Sequence, residues 1–131
     1  MNNLFIAATT SSPEVDFRFD EHRLSLRGEA YPENAAIYWG EIITALRAYL
    51  DKAPVNGTIT VNVALAYFNS SSTKMLFSLF GALNEKAEQG ATIELNWYHD
   101  EEDDTIFEFG QELQEDFSHL VFHNHAVKVD G

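Results

Sequence analysis

The transition from a strand to a helix lies within the stretch Leu65-Ala66-Tyr67-Phe68-Asn69-Ser70-Ser71-Ser72-Thr73-Lys74-Met75-Leu76. Before it, apolar residues alternate with small or polar ones from residue 58 to residue 67, which is typical of a strand. After it, apolar residues recur at three- and four-residue spacing, which predicts a helix over about residues 71 to 89. The hydroxyl residues 70–73 therefore fall on a strand-to-helix turn.

A hydroxyl at such a turn has two interpretations. The backbone N–H groups of a helix start lack intrahelical partners and carry partial positive charge, so a phosphate there meets donors and a favourable dipole. Ser70 is accordingly a candidate phosphorylation site. The structural alternative is that the serines only cap the helix, in which case Ser70→Ala would cost about 1 kcal/mol.

The remaining elements follow from the same periodicities. Alternation predicts a hairpin over residues 15–26 and strands near 93–97 and from Leu120 to Val129, and helical spacing predicts helices over about 33–51 and from the acidic run 100–104 to residue 117. Right-handed crossovers between these strands would make the middle strands parallel. We predict a single α/β domain over residues 1–131, with a mixed β-sheet and about three helices packed mainly on one face.

Composition restricts the possible functions. The chain has 131 residues, 45% of them hydrophobic, and a net charge of −13, which argues against disorder and against binding nucleic acid or anionic membranes. It has no cysteine, so thiol chemistry is excluded. The N-terminus lacks the basic region of an export signal and no apolar run approaches a membrane span, so we expect a cytoplasmic protein.

The second long helix has more apolar surface than one sheet contact needs. Phe77 and Phe80 widen its apolar arc beside Ser70, which indicates either a docking surface or the packing of a neighbouring helix over both rings. Tyr31 and Asn34, at the start of the first long helix, could extend such a surface or only fix the entry of that helix.

With Ser70 placed on this turn, the chain resembles the SiaC family of bacterial regulatory phosphoproteins over nearly its whole length. The resemblance rests on residues 24–34 with their Tyr-Pro-Glu-Asn block, on residues 67–74, on Trp97-Tyr98-His99-Asp100 and on residues 112–117. The family itself is similar to anti-sigma-factor antagonists of the STAS fold, which implies a STAS-like architecture.

The resemblance implies a phosphorylation switch at this turn. By position the modified residue would be Ser70, where the family pattern has threonine, and Ser71 and Ser72 are the alternates. The implied partners are a serine/threonine kinase, a metal-dependent protein phosphatase and an output protein such as a diguanylate cyclase, and no cofactor is implied. The partner-binding residues that we predict are Asn69, Thr73, Lys74, Phe77, Phe80, Tyr31 and Asn34.

Two other functions compete with the switch. The chain could be a constitutive acidic protein-interaction adaptor. It could also be a metal-dependent hydrolase that uses His99, His123 or His125 with Asp100, Asp103 or Asp104, although no metal-binding motif is present. Nucleophilic catalysis by Ser70 is disfavoured, because Phe68 and Ser72 replace the glycines of a hydrolase elbow. We therefore predict a protein that is not an enzyme and has no catalytic or metal-binding residues.

Overall fold

The computed structural model describes residues 2–128, and Val129, predicted to lie in the last strand, is outside that range. A short 3-10 turn at Phe19–Glu21 joins the second and third strands. The other elements are β1 (Leu4–Ile6), β2 (Glu14–Arg18), β3 (Arg23–Ala30), α1 (Ala35–Lys52), β4 (Thr58–Phe68), α2 (Ser70–Glu88), β5 (Thr92–Asp100), α3 (Asp104–Asp116) and β6 (Val121–Val127).

The strands form one six-stranded mixed sheet in the order β1-β2-β3-β4-β5-β6. The pairs β1–β2 and β2–β3 are antiparallel, and β3 to β6 are parallel. Each parallel connection contains one helix, and right-handed crossovers in a sequential order place α1, α2 and α3 on the same face. The predicted α/β class, with three helices on one face of a mixed sheet, is confirmed.

The two faces of the sheet differ in chemistry. The helix-facing residues Leu24, Val61 and Leu95 are paired across neighbouring strands and buried. The alternate residues Asn62 and Asn96 face away from the helices and are partly exposed. The core therefore lies between the sheet and the helices, where Trp39, Trp97, Phe80 and Leu46 are fully covered.

A β-bulge changes the direction of the side chains at the end of β4. Gly28 has a φ of +121°, a conformation that favours glycine, and the register between β3 and β4 shifts after it, so that Gly28 pairs with Leu65 but Glu29 pairs with Tyr67. As a result Tyr67 points outward, although the alternation predicted it to face inward, and the next ring, Phe68, packs on Phe109.

One strand was absent from the prediction. β1 pairs with β2 through Leu4↔Phe17 and Ile6↔Val15, and three residues are too few to show a periodicity in the sequence. Within residues 2–128, no helix combines the length and the apolarity needed to cross a membrane.

Candidate functional site

The turn before α2 is capped by Asn69. Its Oδ1 accepts a hydrogen bond from the backbone N–H of Ser72 at 2.9 Å, and its carbonyl oxygen accepts from the backbone N–H of Thr73 at 3.0 Å and from Thr73 Oγ1 at 3.1 Å. The expectation that Ser70 caps the helix is wrong, because Ser70 is already the first helical residue. The side chains of Asn69 and Thr73, both predicted to bind a partner, are used to fix this turn.

The three serines of the turn lie in different environments. Ser70 and Ser71 are exposed on the first turn of α2. Ser72 is 0% exposed, and its Oγ accepts a hydrogen bond from Nε1 of Trp39 at 3.1 Å. A kinase reaches an exposed hydroxyl and not a covered one, so this burial argues against Ser72 as the modified alternate and leaves Ser70 and Ser71.

Ser70 and Ser71 border an open cavity of about 740 Å³ between the first turns of α1 and α2. The starts of two helices meet here, so two positive dipole ends act on the same space. Lys74 follows Ser70 by one helical turn, and Glu33 is the carboxylate in the lining. The lining residues are Glu33, Asn34, Ala35, Ala36, Ser70, Ser71, Lys74 and Met75.

The start of α1 is held much as the start of α2 is. Asn34 Oδ1 accepts from the backbone N–H of Ile37 at 3.2 Å, so Asn34 caps α1 and also lines the cavity. One turn further along, Tyr38 Oη donates to the carbonyl of Pro13 at 3.2 Å, and burial raises the pKa of Tyr38, which keeps the phenol a neutral donor. Both walls of the cavity are therefore rigidly positioned by hydrogen bonds.

An exposed aromatic pair lies where β3 and β4 end. The rings of Tyr31 and Tyr67 meet edge to face with centroids 5.8 Å apart, and the two residues are 39% and 50% exposed. Tyr31 was predicted to contribute to a docking surface. Tyr67 was missed, because its outward direction depends on the bulge at Gly28 and not on the alternation of β4.

The two phenylalanines of α2 do not form an exposed docking surface. Phe80 is 0% exposed and lies 6.2 Å from Trp97 between ring centroids, so its predicted role in partner binding is wrong. Phe77 is half-buried and packs against Phe109 and Phe117 at 5.3 and 5.9 Å. The end of the sheet and the neighbouring helix therefore account for the surplus apolar arc: Phe80 packs on Trp97 of β5, and Phe77 packs on α3 and its C-terminal residue Phe117.

The three histidines of the hydrolase hypothesis are not brought together. His123 and His125 lie on the face of the sheet without helices, where they pair in register with Asn96 and Tyr98, whereas His99 lies on the opposite face. Among residues 2–128, no group of three or more His, Asp or Glu side chains is arranged to hold a metal ion.

Comparisons with known proteins agree with this architecture. Residues 6–127 match the family model described as SiaC family regulatory phosphoprotein. An uncharacterized protein of Pseudomonas aeruginosa strain UCBPP-PA14 is 30% identical over 118 residues, which cover 90% of this chain and 92% of that protein. The crystal structure of apo-SiaC from Pseudomonas aeruginosa superposes with a TM-score of 0.87 at 28% identity, covering 96% of this chain and 100% of that one. A chain in the crystal structure of diguanylate cyclase SiaD in complex with its activator SiaC, from the same organism, gives a TM-score of 0.86 at 28% identity, with 95% and 99% covered.

Proposed function

The chain belongs to the SiaC family of regulatory phosphoproteins, and from this premise we propose that it is a non-enzymatic signalling protein whose reversible phosphorylation on Ser70 controls an output diguanylate cyclase. A serine/threonine kinase would transfer the γ-phosphoryl group of ATP to Ser70 Oγ, and a metal-dependent phosphatase would hydrolyse that ester. The family relative in the solved complex is described as the activator of the cyclase SiaD, and the proposal extends that relationship to this chain.

The observation that carries the proposal is that the hydroxyl of Ser70 is exposed and neither caps α2 nor contacts the core. Ser70 is exposed on the first helical turn, while the cap is supplied by Asn69 and the buried contact with Trp39 by Ser72. Modification of Ser70 therefore removes no hydrogen bond on which the turn depends. Ser71 is also exposed and remains the alternate.

The surroundings of Ser70 favour a phosphate. The N–H of Ser72 donates to the cap at Asn69, but the N–H groups of Ser70 and Ser71 precede the first i−4 hydrogen bond of the helix, and the ammonium of Lys74 lies one turn along on the same side. A phosphoserine carries a charge of about −1.5 to −2 and has three acceptor oxygens, so it gains both hydrogen bonds and ion pairing there. The fold should accept the group without rearrangement.

The effect on binding is then local. A phosphate on Ser70 would engage Lys74 and would place negative charge beside Asn34 and Glu33 in the cavity. A partner that uses Lys74, or that packs on the adjacent Tyr31 and Tyr67, would lose complementarity. We therefore assign cyclase binding to the unmodified form.

Two measurements test the switch. Phosphopeptide mapping of protein purified from its own host should find one phosphate on Ser70, retained in Ser71→Ala and lost in Ser70→Ala. The host's diguanylate cyclase, identified by mass spectrometry, should co-purify with Ser70→Ala and with the unphosphorylated fraction of the wild type, but not with Ser70→Asp. Gln114→Glu is the matched control, because it adds the same charge at an exposed position of α3 that does not line the cavity, and it should retain the cyclase.

The competing adaptor hypothesis predicts other results. A constitutive adaptor would carry no phosphate on residues 70–73, and Ser70→Asp would bind the same partners as the wild type. A phosphate on Ser71 that persists in Ser70→Ala would keep the switch but assign it to the alternate.

A further inference from the structure

The two edges of the sheet differ in how they are protected. β1 ends one edge with only three residues. β6 ends the other with seven residues, which pair with β5 without a register shift from Glu94↔Val121 to Asp100↔Val127. Natural sheets protect their edges with charged side chains, proline, bulges or very short strands. The β6 sequence, Val-Phe-His-Asn-His-Ala-Val, contains no proline, lysine, arginine or carboxylate. Its edge is therefore a template for another strand.

Alternate residues of β6 direct their backbone N–H and C=O groups to opposite sides of the strand. The carbonyl of Val127 accepts at 2.8 Å from the N–H of Glu101, which follows β5, so the odd-numbered residues of β6 face β5. Phe122, Asn124 and Ala126 therefore direct their donors and acceptors away from the sheet. Among residues 2–128 no strand lies beyond β6, and α3 packs mainly over β4 and β5. These backbone groups are available to a second strand.

The edge is complementary to a copy of itself. An antiparallel pair of β6 strands centred on Asn124 would exchange hydrogen bonds between Asn124 and its copy, and between Phe122 and Ala126 in both directions. On the helix-facing side, the large Phe122 would lie beside the small Ala126. On the other side, Val121 would lie beside Val127, and these are 41% and 37% exposed in the single chain. The pairing thus covers the exposed apolar side chains of the strand.

Charge also favours a second copy as the occupant. Residues 117–128 contain no aspartate or glutamate, although the chain has 21, so the two strands bring no carboxylates against each other. The same register places Lys128 beside Leu120 of the second copy, shortly after α3 ends at Asp116. The last turn of α3 contains Glu115 and Asp116 and no basic residue. A lysine from the second copy would therefore meet carboxylates and the negative end of the helix dipole.

We propose that the protein forms an isologous dimer, in which two β6 strands pair antiparallel about Asn124 and join the two sheets into one. The interface uses no residue that lines the cavity between α1 and α2. The inference is therefore independent of the proposed phosphorylation of Ser70.

Sedimentation velocity of the full-length protein tests the dimer. The measurement is made at about pH 8, where imidazoles are ordinarily neutral and His123 does not repel His125 of the second copy. Between about 1 and about 500 µM, the mass should rise from the 14.8 kDa of one chain towards twice that value.

Variants assign the association to the edge. Asn124→Pro removes an N–H that faces away from β5, and Val121→Lys places a charge at each end of the pair; each should weaken the dimer by about tenfold or more. Val55→Lys is the matched control, because it makes the same change at a valine that is 56% exposed in the turn before β4, and it should dimerise as the wild type does. Circular dichroism checks the fold, and Val121→Lys decides the result if Asn124→Pro does not fold.

Disulfide trapping tests the register, because the chain has no cysteine of its own. Asn124→Cys would place two thiols directly opposite each other, at a Cα separation of about 5.5 Å that a disulfide spans, so mild oxidation should link the copies. Ser78→Cys, exposed on α2, should link far more slowly. The proposal is overturned if the wild type stays a monomer over this concentration range, if Val121→Lys dimerises as tightly as the wild type, or if Asn124→Cys links no faster than Ser78→Cys. Capture of a different host protein by Asn124→Cys, with no linked dimer, would assign the edge to that protein and also contradict the proposal.

Discussion

At the residue scale, the three adjacent serines at the start of α2 differ in burial. Ser72 points into the core and accepts from the indole of Trp39, whereas Ser70 and Ser71 point away from it. The helix phase sets this difference, because α2 begins directly after its cap at Asn69. The exposed hydroxyls of Ser70 and Ser71 are thus better suited to modification than that of Ser72, on which the core depends.

Ser72→Ala should lower the free energy of unfolding by about 1–3 kcal/mol, since the buried N–H of Trp39 would lose its acceptor. Ser70→Ala should change it by no more than about 0.5 kcal/mol, because this exposed hydroxyl makes no contact on which the fold depends. Urea denaturation followed by tryptophan fluorescence measures both. If the two variants were equally destabilised, Ser70 would have a structural role and would be a poor site for a reversible charge.

At the element scale, two helical glycines have opposite surroundings. A Cβ built on Gly110 of α3 would lie 2.6 Å from Cδ1 of Trp97, whose Nε1 donates to the carbonyl of Ile106 at 3.0 Å. A Cβ on Gly40 of α1 meets nothing within 4 Å. Glycine at position 110 therefore lets α3 pack closely on β5. No close contact requires glycine at position 40.

Gly110→Ala should destabilise the protein by about 1–3 kcal/mol through overpacking against Trp97. Gly40→Ala should stabilise it by about 0.5–1 kcal/mol, because alanine restricts the unfolded chain and fits the helix. Thermal denaturation of both variants by circular dichroism tests this pair, with opposite shifts expected. A lower melting temperature for Gly40→Ala would mean that the open side of α1 is covered in solution.

Periodicity predicted the elements well where they were long. The β4 and α2 patterns predicted the turn and its exposed hydroxyl, and the Asp100–Asp104 run correctly preceded α3. Packing between elements was not predictable, because helical spacing cannot show that α3 covers Phe77 or that Phe80 reaches the core. The early end of the pairing between β4 and β5, at Val63↔Trp97, was missed for the same reason.

At the scale of the whole molecule, charge is the dominant surface property. Lys and Arg number 8 against 21 Asp and Glu, which leaves −13. Arginine ion pairs in the described part of the chain, Arg18–Asp16, Arg18–Glu21 and Arg47–Glu85, have N–O distances of 3.3, 3.6 and 3.8 Å. In each pair the arginine side chain is about half exposed, and such pairs contribute about 0–1 kcal/mol to the free energy of unfolding. Self-repulsion should therefore outweigh these attractions.

The melting temperature should accordingly rise as sodium chloride increases from about 20 to about 300 mM, over which the Debye length falls from well above to below about 10 Å. Choline chloride at equal ionic strength should have the same effect, because the cause is screening and not binding of sodium. A melting temperature that falls with salt would show that the ion pairs dominate.

Ser70→Asp takes the net charge only from −13 to −14, so the salt dependence of its melting temperature should nearly equal that of the wild type. If it also loses the cyclase, the added charge acts through the cavity between α1 and α2 and not through the field of the whole protein.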